Sequence, residues 1–233
     1  MSRHRALAAV LLATAVLAAP AAAHDGPHGP PAAAPPGQAS PYAFALPEPG
    51  SYRLPPIRSA AGGTVLTEAG ARAELAALVR GRITVFSFIY TSCTDICPTA
   101  TMQLARIREQ ARAEPGLAER LRLVSMSFDP AHDTPAVMAD YGAAWREPGD
   151  GGAEWLFLTA PDDAALAPVL AGYDQAVAPV TPAAGASPII GHILRVFLID
   201  EAGLVRNIYS MDFLDPDIVL RDIRTLALEG AAH

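Results

Sequence analysis

Lysine is absent from all 233 residues, and cysteine occurs only twice, at Cys93 and Cys97. Without lysine there is no Walker phosphate-binding lysine, no Schiff base and no serine–lysine catalytic pair. A formal net charge of −7 describes a surface that disfavours nucleic acid and anionic lipid as partners. The same Arg-only, Ala- and Pro-rich composition also has a plain origin in a GC-rich genome. Beyond the N-terminus no stretch is long and apolar enough to span a bilayer, and there are no internal repeats. Two cysteines cannot build a disulfide framework. A bridge between these two would close a very small loop, and loop closure stabilises least when the loop is short. A structural staple is therefore disfavoured, and the pair points to chemistry.

The chain opens MSRHRALAAVLLATAVLAAPAAAHDG, with Arg3 and Arg5 ahead of an apolar run and Ala21-Ala22-Ala23 behind Pro20. That is the charged, apolar and small-residue order of a secretory signal peptide, residues 1–23, cleaved after Ala23. The competing reading is an N-terminal membrane anchor, because the run approaches the roughly 17–20 residues of a spanning helix. Cleavage implies an exported protein, periplasmic in a Gram-negative cell. It also removes two arginines and no acid, taking the formal charge from −7 to −9. Residues 24–44 are rich in Pro, Gly and Ala and read as an extended, flexible linker. His24 and His28 lie in it; two histidines in such a tail are more often incidental than metal ligands. Residues 45–233 suit one domain.

Within that domain the periodicity alternates. GRITVFSFIY reads as a strand buried on both faces, and PTATMQLARIREQAR as a helix with Met102, Leu104 or Ala105, and Ile107 on its apolar side. RLRLVSMSFD and EWLFLTAP read as further strands. DTPAVMADYGAAW starts a helix with Thr134 as N-cap and Pro135 first, and DDAALAPVLAGYD gives a short helix that Pro168 bends or shortens. QAVAPVTPAAGASPIIG reads as a long loop. HILRVFLIDEAGLVRNIYS forms a hairpin turning at Glu201-Ala202-Gly203, and Asp215 with Pro216 opens the closing helix. Strands alternating with helices describe an α/β, thioredoxin-like fold, a central mixed sheet flanked by helices with an N-terminal extension.

Cys93 falls in the turn after a buried strand and Cys97 at the entrance of a helix, just before Pro98. Unpaired N–H groups and the helix dipole at such a place favour a thiolate. Three intervening residues let the two sulfurs share one side of the turn, to form a disulfide or chelate one ion. Structural zinc wants four ligands at close spacing. His192, at the junction of the long loop and the hairpin, is the candidate third ligand, against the plainer reading of a packed strand-end histidine. Two thiolates and one imidazole make a soft site that favours copper(I). His132 reads as a solvated loop histidine, His233 as a terminal one, and Asp95 as a polar turn residue that could tune thiolate charge. Met102, Met126 and Met138 read as core rather than thioether ligands.

FSFIYTSCTDICP, SFDPAHDTP, WLFLTAP and GHILRVFLID, in that order, resemble the Sco/SenC family of thioredoxin-fold copper-binding proteins that assist assembly of the binuclear copper centre of cytochrome c oxidase. The resemblance runs from about Ser51 to Leu228. It implies that Cys93, Cys97 and His192 bind copper, as Cu(I) or Cu(II). It also implies a copper acceptor such as an oxidase copper subunit, a possible donor chaperone, and membrane contact only through the partner. Where the family commonly has Asp-His-Ser, this chain has Gly191-His192-Ile193. Two functions remain open: a metallochaperone, or a thiol–disulfide oxidoreductase in which Cys93 and Cys97 exchange electrons with the acceptor's cysteines. Dedicated oxidoreductases of this fold carry C-x-x-C and have no need of His192. A peroxiredoxin-type thiol enzyme matches less well, since Thr91 stands only two residues before Cys93.

Overall fold

The computed structural model describes residues 42, 44–93, 96–147, 149–180 and 189–231. The expected signal peptide (1–23) and all of the expected linker (24–44) except Tyr42 and Phe44 lie outside the described residues. Leu46–His233 form one compact unit. Its strands are β1 (Arg58–Ser59), β2 (Thr64–Thr67), β3 (Arg72–Glu74), β4 (Ile83–Ile89), β5 (Leu121–Ser127), β6 (Glu154–Thr159), β7 (Val177–Val180), β8 (Ile189–His192), β9 (Val196–Ile199) and β10 (Leu204–Tyr209). Its helices are α1 (Leu75–Leu78), α2 (Ile96–Arg112), α3 (Leu117–Arg120), α4 (Pro135–Ala143), α5 (Asp163–Gly172) and α6 (Pro216–Ala231).

Eight strands form one mixed sheet in the order β1-β10-β9-β4-β5-β6-β2-β3. The pairs β4/β5 and β5/β6 are parallel, and β4/β9 is antiparallel. Parallel neighbours need crossovers, which α2 and α4 supply. Every residue of β4 is buried because both faces of the strand are covered. Its period-2 alternation splits the interior into two cores. Ile83, Val85 and Ile89 face a cluster with Leu104 and Ile107 of α2, Met138 of α4, and Val219 and Ile223 of α6. Phe86 and Phe88 face the opposite cluster, with Leu75 of α1, Val169 of α5 and Tyr173. Phe86 and Tyr173 stack with ring centroids 4.7 Å apart.

The start signals act as their chemistry requires. Thr134 Oγ1 accepts from the Val137 N–H at the head of α4, with Pro135 first. Asp215 Oδ1 accepts from the Asp217 N–H at the head of α6. Helix α5 runs on through Pro168 to Gly172.

Three details depart from the sequence reading. The segment read as a long loop carries β7 and β8, paired antiparallel with Val177 opposite His192. Pro179 is tolerated there because a two-stranded ribbon consists only of edges. His192 therefore ends β8 instead of opening the hairpin strand, which begins at Val196. Met126 and Met138 are fully buried, but Met102 is 41% exposed. The buried stripe of α2 runs through Cys97, Ala100, Thr101, Leu104 and Ile107; the polar Thr101 takes the inward position, which turns Met102 to the solvent side. Strands β1 to β3 and helix α1 are too short to leave a periodic signal in the sequence.

Candidate metal centre

Strand β4 ends at Ile89, and the chain turns at once, the Cys93 N–H donating to the Tyr90 carbonyl at 3.2 Å. Helix α2 then starts at Ile96, so Cys97 lies in its first turn. Cys93 is 7% exposed and Cys97 1% exposed. No disulfide joins them. Both belong to the apolar cluster that includes Tyr90 and Phe128, whose rings lie 5.1 Å apart. Burial, followed by a hydrogen bond with the Cys93 side chain, pushes the Cys97 thiol well above its ordinary value. The expected helix-terminus thiolate is thus overturned at Cys97: without a cation, desolvation in this apolar cluster outweighs the favourable field of the helix end.

The loop is held from the neighbouring strand. Phe128, just beyond β5, donates its N–H to the Ile89 carbonyl at 3.0 Å. Asp133 is fully buried. Its Oδ2 accepts from the Thr91 N–H at 3.0 Å and from Ser127 Oγ at 2.5 Å, and its Oδ1 accepts from Thr91 Oγ1. His132 Nδ1 lies 2.9 Å from the same Oδ1. On the other flank, Thr101 Oγ1 donates to the Cys97 carbonyl at 2.9 Å and lies 3.0 Å from the Tyr141 hydroxyl of α4. A threonine hydroxyl carries one hydrogen, so Tyr141 is the donor in that second bond. Burial raises the Tyr141 hydroxyl's pKa.

His132 is the solvated loop histidine expected, with its side chain 57% exposed. The hydrogen bond to Asp133 raises its pKa above 6.5. His192 enters through its backbone alone. It stands four residues before Val196, which registers with Ser87 of β4, so its segment reaches the sheet at the end that carries the cysteine turn. The side chain of His192 lies outside the described residues, as do His24, His28, Asp95 and His233. Among the described residues no group of three or more His, Cys, Asp or Glu side chains is arranged to hold a metal ion. The structure thus brings the two sulfurs together and supplies two soft donors, the chemistry that suits copper(I).

A cavity of about 600 Å³ lies elsewhere, lined by Tyr52, Leu54, Arg206, Thr225, Leu228 and Glu229 among others, and contains neither cysteine. Asp133, Thr101 and Tyr141 were not singled out from the sequence. The only signal for them was the Asp-Pro-x-x-Asp-Thr-Pro segment, in which nothing indicates that Asp133 turns inward toward Thr91, 42 residues away.

A family model described as SCO1/SenC matches residues 64–228. A protein of Stutzerimonas stutzeri named as copper-binding is 38% identical over 68 residues, 29% of this chain and 32% of that protein. This chain therefore matches about a third of that relative's length. The copper-bound ScoI of Arabidopsis thaliana superposes with a TM-score of 0.62 at 18% identity, covering 72% of this chain and 97% of that one. BsSco, a Sco protein with a disulfide switch, gives a TM-score of 0.58 at 22% identity, covering 75% and 97%. At these identities the likeness establishes the fold, which is thioredoxin-like.

Proposed function

This chain belongs to the SCO1/SenC family, and from that premise we propose that it is a copper metallochaperone, binding copper through Cys93, Cys97 and His192 and passing it to a cuproprotein. The observation that carries this reading is the pair of cysteines buried in one apolar cluster at the β4–α2 junction. Two sulfurs so placed close on one soft ion without a large rearrangement, and the thiols deprotonate as the cation replaces their protons. His192 completes a three-ligand set that leaves a coordination position for the acceptor's ligand, so copper moves by exchange of one ligand at a time. The acceptor class follows from BsSco, described as a member of a family of cytochrome c oxidase assembly proteins; the binuclear copper centre of that oxidase is the proposed destination. An exported location, with residues 1–23 removed, places the chain where such a centre is built.

A second reading has its own support. Cys93 and Cys97 are buried in the same apolar cluster, and BsSco carries a disulfide switch. On that reading Cys93 and Cys97 give two electrons and two protons to a disulfide of the acceptor, leaving its cysteines reduced for metal loading.

Copper(I) titration against a competing chelator separates the two. One tightly held copper per chain, lost in the Cys93→Ser/Cys97→Ser variant and weakened in His192→Ala, is the expected result. Absent binding with rapid thiol–disulfide exchange would replace the chaperone by the reductase.

A further inference from the structure

Both flanks of the Cys93–Cys97 turn are tied to one rigid piece of the molecule. On the N-terminal flank, Thr91 gives both its N–H and its hydroxyl to the buried Asp133 carboxylate, the residue directly before the N-cap of α4. On the C-terminal flank, the Cys97 carbonyl receives Thr101 Oγ1, which in turn receives the Tyr141 hydroxyl from the last turns of the same helix. Helix α4 is itself fixed. Met138 is fully buried, Gly142 lies flat against the Phe157 ring, and the Tyr141 ring packs on Phe157 at 5.9 Å and Trp145 at 6.1 Å. Buried polar groups that lose a hydrogen-bond partner are costly, so these bonds hold the flanks firmly. Both described flanks of the turn are therefore anchored on α4 and the residue that precedes its N-cap.

We propose that Asp133 and Tyr141 are positioning residues, and that the α4 brace they form holds Cys93 and Cys97 at the separation of two ligands on one ion and against closure into a disulfide. The two end states differ in geometry. Disulfide sulfurs lie about 2.05 Å apart, whereas two sulfurs each about 2.3 Å from a shared cation stand well over 3 Å apart. Anchoring both flanks on one helix penalises the approach that a disulfide needs and spares the wider arrangement. Loosening either flank shifts the pair in opposite directions: copper binds less well, and the disulfide forms more readily. This inference rests on the metal-site reading for its copper arm alone.

The test uses the full chain and three variants. Asp133→Asn weakens the carboxylate anchor, Thr91→Val removes the hydroxyl and keeps the N–H, and Tyr141→Phe removes one hydroxyl and keeps the ring packing. Copper(I) affinity is read by chelator competition. The dithiol is equilibrated with glutathione disulfide, two glutathione thiols being released for each Cys93–Cys97 bond formed. Urea unfolding of each variant reports overall stability. Expected are a loss of copper(I) affinity of about 10- to 100-fold and a disulfide favoured by about tenfold, ~30 mV for a two-electron couple. Both should appear in Tyr141→Phe and Thr91→Val even if Asp133→Asn does not fold. Unchanged redox equilibria in folded variants, or a disulfide made harder to form, would overturn the brace. If the wild-type chain binds no copper, the metal reading fails and the redox equilibrium alone decides the brace.

Discussion

Cys97 illustrates how a residue's neighbours override its local position. A cysteine in the first turn of a helix should lean toward thiolate, yet this one is enclosed by apolar groups and its pKa rises. In the metal-free chain, ultraviolet thiolate absorbance should show Cys97 still protonated at the pH where an ordinary cysteine ionises; a normal titration would contradict the buried geometry. His132 shows the opposite balance. Its imidazole is exposed, and the Asp133 carboxylate raises its pKa above 6.5. A raised histidine pKa contributes stability that is fully present below pH 6.5 and is lost as pH rises through the folded-state value. Proton NMR should place the His132 midpoint above 6.5 in the wild-type chain and lower in Asp133→Asn. Cys93 and Cys97 were legible in the sequence because a short spacing between rare residues is a local fact. Asp133 was not, because its meaning depends on Thr91 and Ser127 arriving beside it from other elements.

Secondary-structure elements divide along the same line. Strands β4 and β5 and helices α4 and α6 were readable, since each announces itself by a long apolar run or by a Thr-Pro or Asp-Pro start. Strands β7 and β8 were not, because Pro179 and the flanking glycines and prolines look like a loop until a partner strand lies alongside. Helix α4 also shows what a single hydrogen atom can decide. A Cβ on Gly142 would stand 2.6 Å from the Phe157 ring, so α4 lies against β6 only because this position has no side chain. Gly142→Ala should destabilise the fold by about 1–3 kcal/mol, the usual cost of forcing extra volume into a packed interior, as read from the urea midpoint. A neutral result would mean that α4 shifts freely, and would undermine its standing as a rigid support.

At the scale of the whole molecule, a buried carboxylate joins the first part of the folded chain to its last helix. Asp222 of α6 accepts from Tyr52 at 2.6 Å, from Tyr209 of β10 at 2.6 Å and from Asn207 at 2.8 Å. The Gly50 N–H adds a bond to Thr225 Oγ1 at 3.0 Å. Burial and the neighbouring carboxylate raise Tyr52 to about 12 and Tyr209 well above 10. Raised tyrosine values mean that their contribution is complete below pH 10 and is lost as pH climbs through the folded-state values. Calorimetric melting temperatures should therefore fall steeply between about pH 10 and 12, more steeply than in Tyr52→Phe. Asp222→Ala, which leaves three donors without their acceptor, should cost about 1–3 kcal/mol or more at neutral pH; an unchanged urea midpoint would show that this junction contributes nothing.

By itself the sequence determined the α/β class, the order of the main strands and helices, and the strand-to-helix turn that carries the two cysteines. These are matters of periodicity and start signals, and the physics behind them acts within a few residues along the chain. The tertiary structure alone decided that both cysteines are buried and that the Cys97 pKa is raised, that His192 ends one strand instead of opening another, and that Asp133, just before α4, and Tyr141, within it, grip the two flanks of the turn. Burial, desolvation and buried hydrogen bonds are properties of groups brought together from distant positions, and they exist only once the sheet has set β4 beside β5 and laid α4 across them.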